Sequence, residues 1–174
     1  MTRAETNLET VTGDITRQAD LDAVVNAANA QLMPGGGVAG AIHRAAGPEL
    51  ADACRPMAPI SPGQAVITDA FGLPNRWIIH CLGPRDGIDE PSDTLLADCY
   101  RNALRLAEEY GMEGIGFPAL STGAFGYPFD DASRVALDSV DDVLAELQRP
   151  PQLVRFVFFS DSDREQFEAV RQRG

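Results

Sequence analysis

Short apolar runs alternate along this chain with longer runs whose apolar residues recur at helical spacing. The short runs are rich in the residue types of strands and are bounded by turn residues. They cover residues 7–11, 23–26, 64–71, 76–82, 114–117 and 153–159. Alternation of this kind predicts one α/β domain over residues 1–174, with three layers in which a sheet lies between helices.

The longer runs are the helix candidates. They cover residues 38–46, 49–55, 93–110, 130–147 and 163–172. Pro128 and the acids that follow it are start signals for the fourth of these helices. The strand candidates 64–71 and 76–82 are separated only by a short turn, which predicts an antiparallel pair and therefore a mixed sheet.

The composition excludes several classes of protein. A formal net charge of −12 disfavours general nucleic-acid binding. No stretch approaches the roughly 18 apolar residues of a membrane span, and the start of the chain lacks the apolar core of a signal peptide, which predicts a cytoplasmic protein. The three cysteines, Cys54, Cys81 and Cys99, are widely spaced, which predicts buried thiols rather than disulfides. The two histidines are not spaced as metal ligands usually are, which predicts no metal site. We expect a monomer.

A glycine-rich stretch, "NAANAQLMPGGGVAGAIH" over residues 26–43, lies between a predicted strand and a predicted helix. Gly35, Gly37 and Gly40 match G-x-G-x-x-G, but they do not follow the strand directly as they would in a dinucleotide-binding fold. No G-K-[ST] follows, which excludes a P-loop. Small residues and the free amides at a helix start favour a bound anion. The alternative is that these glycines only form a tight turn.

A second stretch, "FPALSTGAFGYP" over residues 117–128, also leaves a predicted strand and precedes a helix. Its residues are small and uncharged in the middle, so backbone amides are accessible. Loops at the carboxyl ends of neighbouring strands can face each other above the sheet, and two sets of amides suit a diphosphate. The two stretches together predict a cleft that meets an anionic ligand with backbone rather than with basic side chains.

Six motifs now point to a family. They are "GDIT", "VVNAANAQL", "GGGVAGAIHRAAGP", "GQAVIT", "IIHCLGP" and "FPALSTGAFGYP". In this order they resemble macrodomains, the ADP-ribose-binding modules, and most closely the bacterial MacroD-type branch. The resemblance extends from about Asn7 to the last predicted helix. It implies a three-layer α/β/α fold with a six-stranded mixed sheet, and ADP-ribose or an ADP-ribosylated protein as the partner, without a cofactor.

The resemblance also implies roles for individual residues. Asp14 would accept a hydrogen bond from the adenine amino group, the Ile15 amide would donate to the ring, and Phe159 would stack on the ring. Asn29 would bond the distal ribose, with Phe125 beside it. The two phosphates would be held by amides at Gly36, Gly37, Val38, Ser121, Thr122, Gly123, Ala124 and Phe125.

Each role has an alternative in ordinary structural terms. Asp14 could be only a helix N-cap, and Phe159 could be part of the core. Asn29 could be a turn residue, although we favour ligand contact. For His43 and His80 we favour structural roles. We expect Asn26 to support the loop that follows it rather than to touch the ligand.

One position departs from the family. Hydrolytic members of the MacroD-type branch carry an aspartate in the phrase that reads "GGGVAG" here, ten residues after the ribose-binding asparagine, where it helps to activate water. Counting from Asn29 reaches Ala39. The general base is therefore absent, and Asn29 is the one residue with a catalytic role to assign, that of positioning the ribose. Loss of a positioned base lowers a rate by about 10²–10⁴, so a water held by the ligand's own phosphate is the remaining route.

These observations leave two principal functions open. One is slow hydrolysis of ADP-ribosyl esters or of O-acetyl-ADP-ribose, and the other is binding of ADP-ribose without turnover. A nicotinamide-dinucleotide oxidoreductase, which rests only on the literal glycine pattern, is a distant third. Ala39 makes binding the firmer prediction.

Overall fold

The computed structural model describes residues 5–174 and contains one six-stranded sheet. The strands are β1 (Asn7–Thr12), β2 (Ala23–Ala27), β3 (Ala65–Asp69), β4 (Trp77–Cys81), β5 (Gly114–Phe117) and β6 (Leu153–Phe158). The α-helices are α1 (Gly37–Ala46), α2 (Glu49–Cys54), α3 (Ser92–Glu109), α4 (Phe129–Glu146) and α5 (Asp161–Arg173). Two short 3₁₀ helices, Ile15–Arg17 and Arg55–Met57, complete the secondary structure of these residues.

The sheet has the order β1-β6-β5-β2-β4-β3. Every neighbouring pair is parallel except β3 and β4, which are antiparallel. The predicted mixed sheet of six strands and the predicted hairpin are therefore confirmed. Because five strands share one direction, their carboxyl ends meet at a single edge of the sheet.

Helices cover both faces of the sheet, as the alternating pattern predicts. One core lies between the sheet and α3, α4 and α5. Its aromatic residues include Tyr100, Phe117 and Phe156, and the Phe117 ring centroid is 5.1 Å from that of Tyr100 and 5.7 Å from that of Phe156. The other core lies between the sheet and the helices α1 and α2. Central strands covered on both faces must be apolar throughout, which is why β5 reads Gly-Ile-Gly-Phe and is wholly buried. The three cysteines are buried free thiols, as predicted.

The predicted ends of several elements are wrong by one or two residues. The predicted strand 64–71 is shorter in the structure because Phe71 has a φ of +52° and the chain turns there. The last strand ends at Phe158, so Phe159 lies outside it. Helix α5 begins two residues earlier than predicted because Ser160 is its N-cap, with the Ser160 hydroxyl accepting a hydrogen bond from the Asp163 amide at 3.1 Å.

The edge of the sheet opposite these carboxyl ends carries the single tryptophan of the chain. Trp77 begins β4, and its amide donates to the carbonyl of Asp22 at 3.1 Å. Its ring meets Tyr110 edge-on with centroids 5.5 Å apart, and the Arg76 guanidinium lies 4.6 Å from the ring centroid. Among residues 5–174, no helix is both long enough and apolar enough to cross a lipid bilayer.

Candidate functional site

A cleft of about 560 Å³ lies at the edge of the sheet where β2, β5 and β6 end. One wall is a first loop, residues 35–39, and the opposite wall is a second loop, residues 121–126. Of the predicted ligand-binding residues, all but one line the cleft, and the exception is Asp14. The structure therefore brings together residues that are far apart in the sequence.

The first loop passes directly into α1. Gly36 is the N-cap of that helix and Gly37 has a φ of +58°, a left-handed conformation that favours glycine. A Cβ on Gly40 would overlap with the carbonyl oxygen of Gly35, so the helix and the loop approach more closely than another residue would allow. The amides at the start of α1 have no partner within the helix and carry the positive end of its dipole. This wall therefore presents free backbone donors to the cleft.

The second loop contains no helical turn and is held by contacts with its surroundings. Ser121 has a φ of +66°, which is uncommon for a residue with a side chain. Its hydroxyl donates to the carbonyl of Pro84 at 2.8 Å, and a Cβ on Gly83 would overlap with that hydroxyl. The carbonyl of Ser121 accepts from the Tyr127 amide at 2.9 Å. The hydrogen bond from the Ser121 side chain therefore stabilises a left-handed backbone conformation that glycine would adopt without strain.

Among residues 122–125 of this second loop, carbonyls take part in hydrogen bonds and amides do not. Its carbonyls at Gly123 and Phe125 accept hydrogen bonds from Gly126 and Asp86 at 3.0 Å and 2.9 Å. Within residues 5–174, by contrast, the amides of residues 122–125 donate no hydrogen bond to backbone or side chain. The second wall thus presents a further set of donors to the cleft.

The end of the cleft nearest β1 and β6 is formed by Gly13, Ile15 and Phe159. Phe159 is 69% exposed, so the alternative that it belongs to the core is wrong. Asp14 is the N-cap of the first 3₁₀ helix, and its Oδ1 accepts from the Thr16 amide at 2.9 Å and from the Thr16 hydroxyl at 2.6 Å. These two hydrogen bonds hold the pKa of Asp14 below its usual value. The cap employs Oδ1, whereas Oδ2 has only a 3.8 Å ion pair with Arg17.

The opposite end of the cleft contains Asn29 and Ala39. The Asn29 side chain closes a turn, since its Nδ2 donates to the Met33 carbonyl at 2.7 Å and its Oδ1 accepts from the Met33 amide at 3.0 Å. Asn29 is therefore a turn residue, as the alternative interpretation of the sequence proposed, and it also lines the cleft. Ala39 is 5% exposed and also lines the cleft.

Neither histidine lines the cleft, in agreement with the structural roles that we favoured. His80 is fully buried, and its Nδ1 lies 3.0 Å from Nδ2 of Asn26 while its Nε2 lies 3.0 Å from the Thr68 hydroxyl. Burial lowers the pKa of His80 to about 3, and burial also lowers the pKa of His43. Asn26 is buried and does not line the cleft, in keeping with the expectation that it does not touch the ligand, and its side-chain amide bonds the His80 ring of β4 rather than the loop that follows it.

Phe129 and Asp163 line the cleft but were not recognised from the sequence. Among residues 5–174, Asp163 is the one charged side chain that lines the cleft, and no arginine of that range does so. A signal was available in "SDSD" after Phe159, because a serine N-cap at Ser160 puts Asp163 in the first turn of a helix that starts beside the cleft. Among residues 5–174, no group of three or more His, Cys, Asp or Glu side chains is arranged to hold a metal ion.

This geometry can be compared with known proteins. The profile of the family described as Macro domain matches residues 25–136. A Cronobacter turicensis protein named O-acetyl-ADP-ribose deacetylase is 47% identical over 167 residues, which cover 92% of this chain and 91% of that protein.

Solved structures give the same family. The Oceanobacillus iheyensis macrodomain with ADP has a TM-score of 0.88 and 41% identity, covering 94% of this chain and 89% of that one. The Trypanosoma brucei macrodomain in complex with ADP-ribose has a TM-score of 0.85 and 35% identity, covering 96% of this chain and 69% of that one. Solved variants of the Oceanobacillus protein replace an asparagine with alanine and, ten positions later, an aspartate with alanine.

Proposed function

The chain belongs to the macro domain family, and we propose that its cleft binds ADP-ribose, either free or attached to a protein. One observation carries the proposal: two loops rich in free amides face each other across a cleft to which residues 5–174 contribute no basic side chain. A diphosphate matches such walls because each phosphate can accept several backbone hydrogen bonds at once.

The rest of the ligand follows from the two ends of the cleft. Adenine would lie between Ile15 and the exposed ring of Phe159, with its amino group donating to Oδ2 of Asp14, the oxygen that the N-cap does not use. Stacking on an aromatic ring and a hydrogen bond to a carboxylate are both favourable in such a position. The distal ribose would lie at the Asn29 end, where Nδ2 has a second hydrogen besides the one given to Met33.

Electrostatics supports backbone recognition over a basic cleft. The chain has a formal net charge of −12, and a long-range field of that sign repels a diphosphate. Amide dipoles and the helix terminus act at hydrogen-bond distance, where they outweigh a field that salt screens over about 8 Å. Binding should therefore change little with added salt.

Calorimetry with free ligands tests this proposal. We expect ADP-ribose to bind at micromolar strength, about −8 kcal/mol. AMP should bind much more weakly because it lacks the second phosphate and the distal ribose. NAD should also bind more weakly, because its nicotinamide occupies the anomeric position beside the first loop. Equal affinity for NAD and ADP-ribose would support the dinucleotide-enzyme alternative instead.

Hydrolysis of ADP-ribosyl esters is the second candidate function. It is favoured by the 47% identity to a protein named O-acetyl-ADP-ribose deacetylase. The spacing of ten between the asparagine and the aspartate replaced in the Oceanobacillus variants equals the spacing from Asn29 to Ala39. In such a hydrolysis, water adds to the ester, ADP-ribose leaves with a free hydroxyl, and the acyl group leaves as a carboxylic acid.

The variant Ala39→Asp tests that second function. Ala39 is in the first turn of α1, where a carboxylate is compatible with the helix dipole, so the variant should fold. If the new carboxylate orders a water as a general base, release of ADP-ribose from a glutamate-modified protein should rise by about 10-fold or more. Asn29→Ala is the control for ribose positioning. A variant that folds and binds but is no faster than the parent would show that position 39 is not where the base belongs.

A further inference from the structure

The carboxylate of Asp163 lines the cleft, and neither the binding of a diphosphate nor the contacts assigned above to adenine and the distal ribose explain it. Asp163 is half-buried, and it lines the cleft together with Phe129, Phe158 and Phe159. A negative charge in the wall of an anion-binding cleft works against the phosphates unless it meets another part of the ligand. Within residues 5–174, the Asp163 side chain makes no hydrogen bond or ion pair that would give it a structural purpose.

The place of Asp163 in the fold identifies which part of the ligand it meets. Helix α5 starts two residues after Phe159, and Asp163, in the first turn of that helix, lines the same end of the cleft as Phe158 and Phe159. If adenine stacks on Phe159 and the diphosphate lies between the loops, then the ribose that joins them passes this position. That ribose offers hydroxyl groups, and a carboxylate is a strong acceptor for them.

We propose that Asp163 determines specificity at this end of the cleft, accepting hydrogen bonds from the hydroxyls of the adenosine ribose and excluding ligands that carry a phosphate on the ribose 2′-oxygen. This inference rests on the proposed binding of ADP-ribose and names the substrate class more narrowly. An acidic residue serves the same purpose in dinucleotide-binding folds, where it bonds the ribose 2′-hydroxyl and an arginine is needed to accommodate a 2′-phosphate.

The charged side chains of Arg164 on α5 and Asp130 on α4 have partners other than Asp163. Arg164 follows it in α5, but the Arg164 Nε donates to the Thr12 hydroxyl at 3.1 Å, at the end of β1. Asp130 on the neighbouring helix α4 is engaged by Gln166 at 2.8 Å and by Arg173 at 3.5 Å. No lysine or arginine is among the cleft residues of the described chain, so a 2′-phosphate would meet Asp163 without a compensating cation.

The test compares two ligands on four proteins by calorimetry. The ligands are ADP-ribose and ADP-ribose 2′-phosphate, and the proteins are the parent, Asp163→Asn, Asp163→Lys and Asp161→Asn. Asp161 is the matched control, since it is an exposed acid in the same helical turn and does not line the cleft. Thermal melting of each protein establishes that it is folded.

We expect the parent to bind the 2′-phosphate about 10-fold or more weakly than ADP-ribose, as Coulomb repulsion at short range requires. In Asp163→Asn the ratio should shrink to about 3-fold or less, with ADP-ribose affinity changed little because an amide also bonds hydroxyls. Asp163→Lys should reverse the preference, and Asp161→Asn should leave the parental ratio. The parental ratio should also shrink at high salt.

Two results would overturn the inference while leaving the proposed function intact. One is a parent that binds both ligands equally, and the other is a ratio that Asp163→Asn leaves unchanged. Absence of ADP-ribose binding by the folded parent is a different result, which would overturn the proposed function and this inference with it.

Discussion

The two loops of the cleft expose backbone amides by different means. The first loop uses the start of α1, and its shape depends on one backbone group lying against another, Gly40 against the Gly35 carbonyl. The second loop contains no helical turn, and its shape depends on a side chain, the Ser121 hydroxyl, which bonds the Pro84 carbonyl at 2.8 Å and occupies the space beside Gly83.

This difference has a consequence for how each loop tolerates change. A contact between two backbone groups cannot adjust without moving a helix, so any added atom at Gly40 must distort the first loop. A contact made by a side chain can be relieved by shortening that side chain. The second loop should therefore accept paired substitutions that restore the space, and the first loop should not.

The largest expected effect comes from Gly40→Ala. Alanine in place of glycine within a helix normally stabilises by about 1 kcal/mol. Here we expect the opposite, a loss of about 1–3 kcal/mol in the free energy of unfolding, because the new Cβ overlaps with the Gly35 carbonyl. ADP-ribose affinity should fall by about 100-fold as the first loop is displaced. Urea unfolding and calorimetry measure the two quantities.

The folding control for this variant is Gly36→Ala, since a Cβ there meets no atom within 4 Å and the residue has a φ of −85°. Because Gly36 is the N-cap of α1 and alanine is a poorer N-cap than glycine, the variant's free energy of unfolding should fall by no more than about 1 kcal/mol. A Gly40→Ala protein that is more stable than the parent and binds normally would remove the distinction between the loops.

A smaller effect is expected from Gly83→Ala, which crowds the Ser121 hydroxyl. ADP-ribose affinity should fall by about 10-fold because the new Cβ pushes the Ser121 side chain, and the second loop with it, out of place. The double variant Gly83→Ala/Ser121→Ala removes the crowded oxygen, so it should recover the part of the loss that is due to crowding and keep the part that is due to the missing bond to Pro84. A double-mutant cycle measured by calorimetry gives the coupling. If the effects of Gly83→Ala and Ser121→Ala on ADP-ribose affinity simply add, the contact between the two residues does not determine the conformation of the second loop.

The smallest expected effect is a pH dependence of stability. It distinguishes the two loops because two buried histidines lie in the core beneath the helix that follows the first loop. His80 faces His43 of α1, Cys54 of α2 and Thr68 of β3 in the core under the first loop's helix. Burial lowers the pKa of His80 to about 3 and lowers the pKa of His43 as well. As pH falls below about 6.5, the unfolded chain takes up protons that the folded chain does not. Stability is therefore full above that pH and decreases towards pH 5.

Urea unfolding at pH 7.5, 6.5 and 5.5 measures this loss, which we expect to approach about 1 kcal/mol per pH unit at the acid end. His43→Leu is the comparison variant, because both ring nitrogens of His43 are buried without a partner among the described residues. It should reduce the slope and should not destabilise the protein at neutral pH. An unchanged slope would assign the pH dependence to other groups.

The sequence predicted the fold well because its signals are local and agree with one another. Buried strands read as continuous apolar runs, and α4 carries a proline and acids at its start. The errors in the predicted strands and helices lie at their ends, because a single backbone angle or capping residue determines where an element stops. Phe71 turns the chain with a positive φ that no rule predicts for phenylalanine, and Ser160 was overlooked as the cap of α5.

The candidate site was predicted less completely, for a different physical reason. The glycine-rich stretches of the two loops could be recognised in the sequence, because glycine determines the local conformation of the backbone and leaves its amides accessible. The left-handed Ser121 and the bond of Asn26 to His80 depend on segments that are distant in the chain, so no local pattern contains them. Asp163 was missed because its place in the cleft follows from where α5 starts, which the sequence analysis put two residues late.

The position of Trp77 gives this protein a useful optical property. Trp77 begins β4, at the amino end of the strand, whereas the cleft lies at the carboxyl ends. Its emission depends on its contacts with Tyr110 and Arg76, which unfolding would separate and a ligand in the cleft would not touch. Tryptophan fluorescence should therefore follow unfolding of the chain with the same signal in the presence and absence of ligand. A ligand-induced rise in the midpoint of such a curve can then be read directly as binding energy.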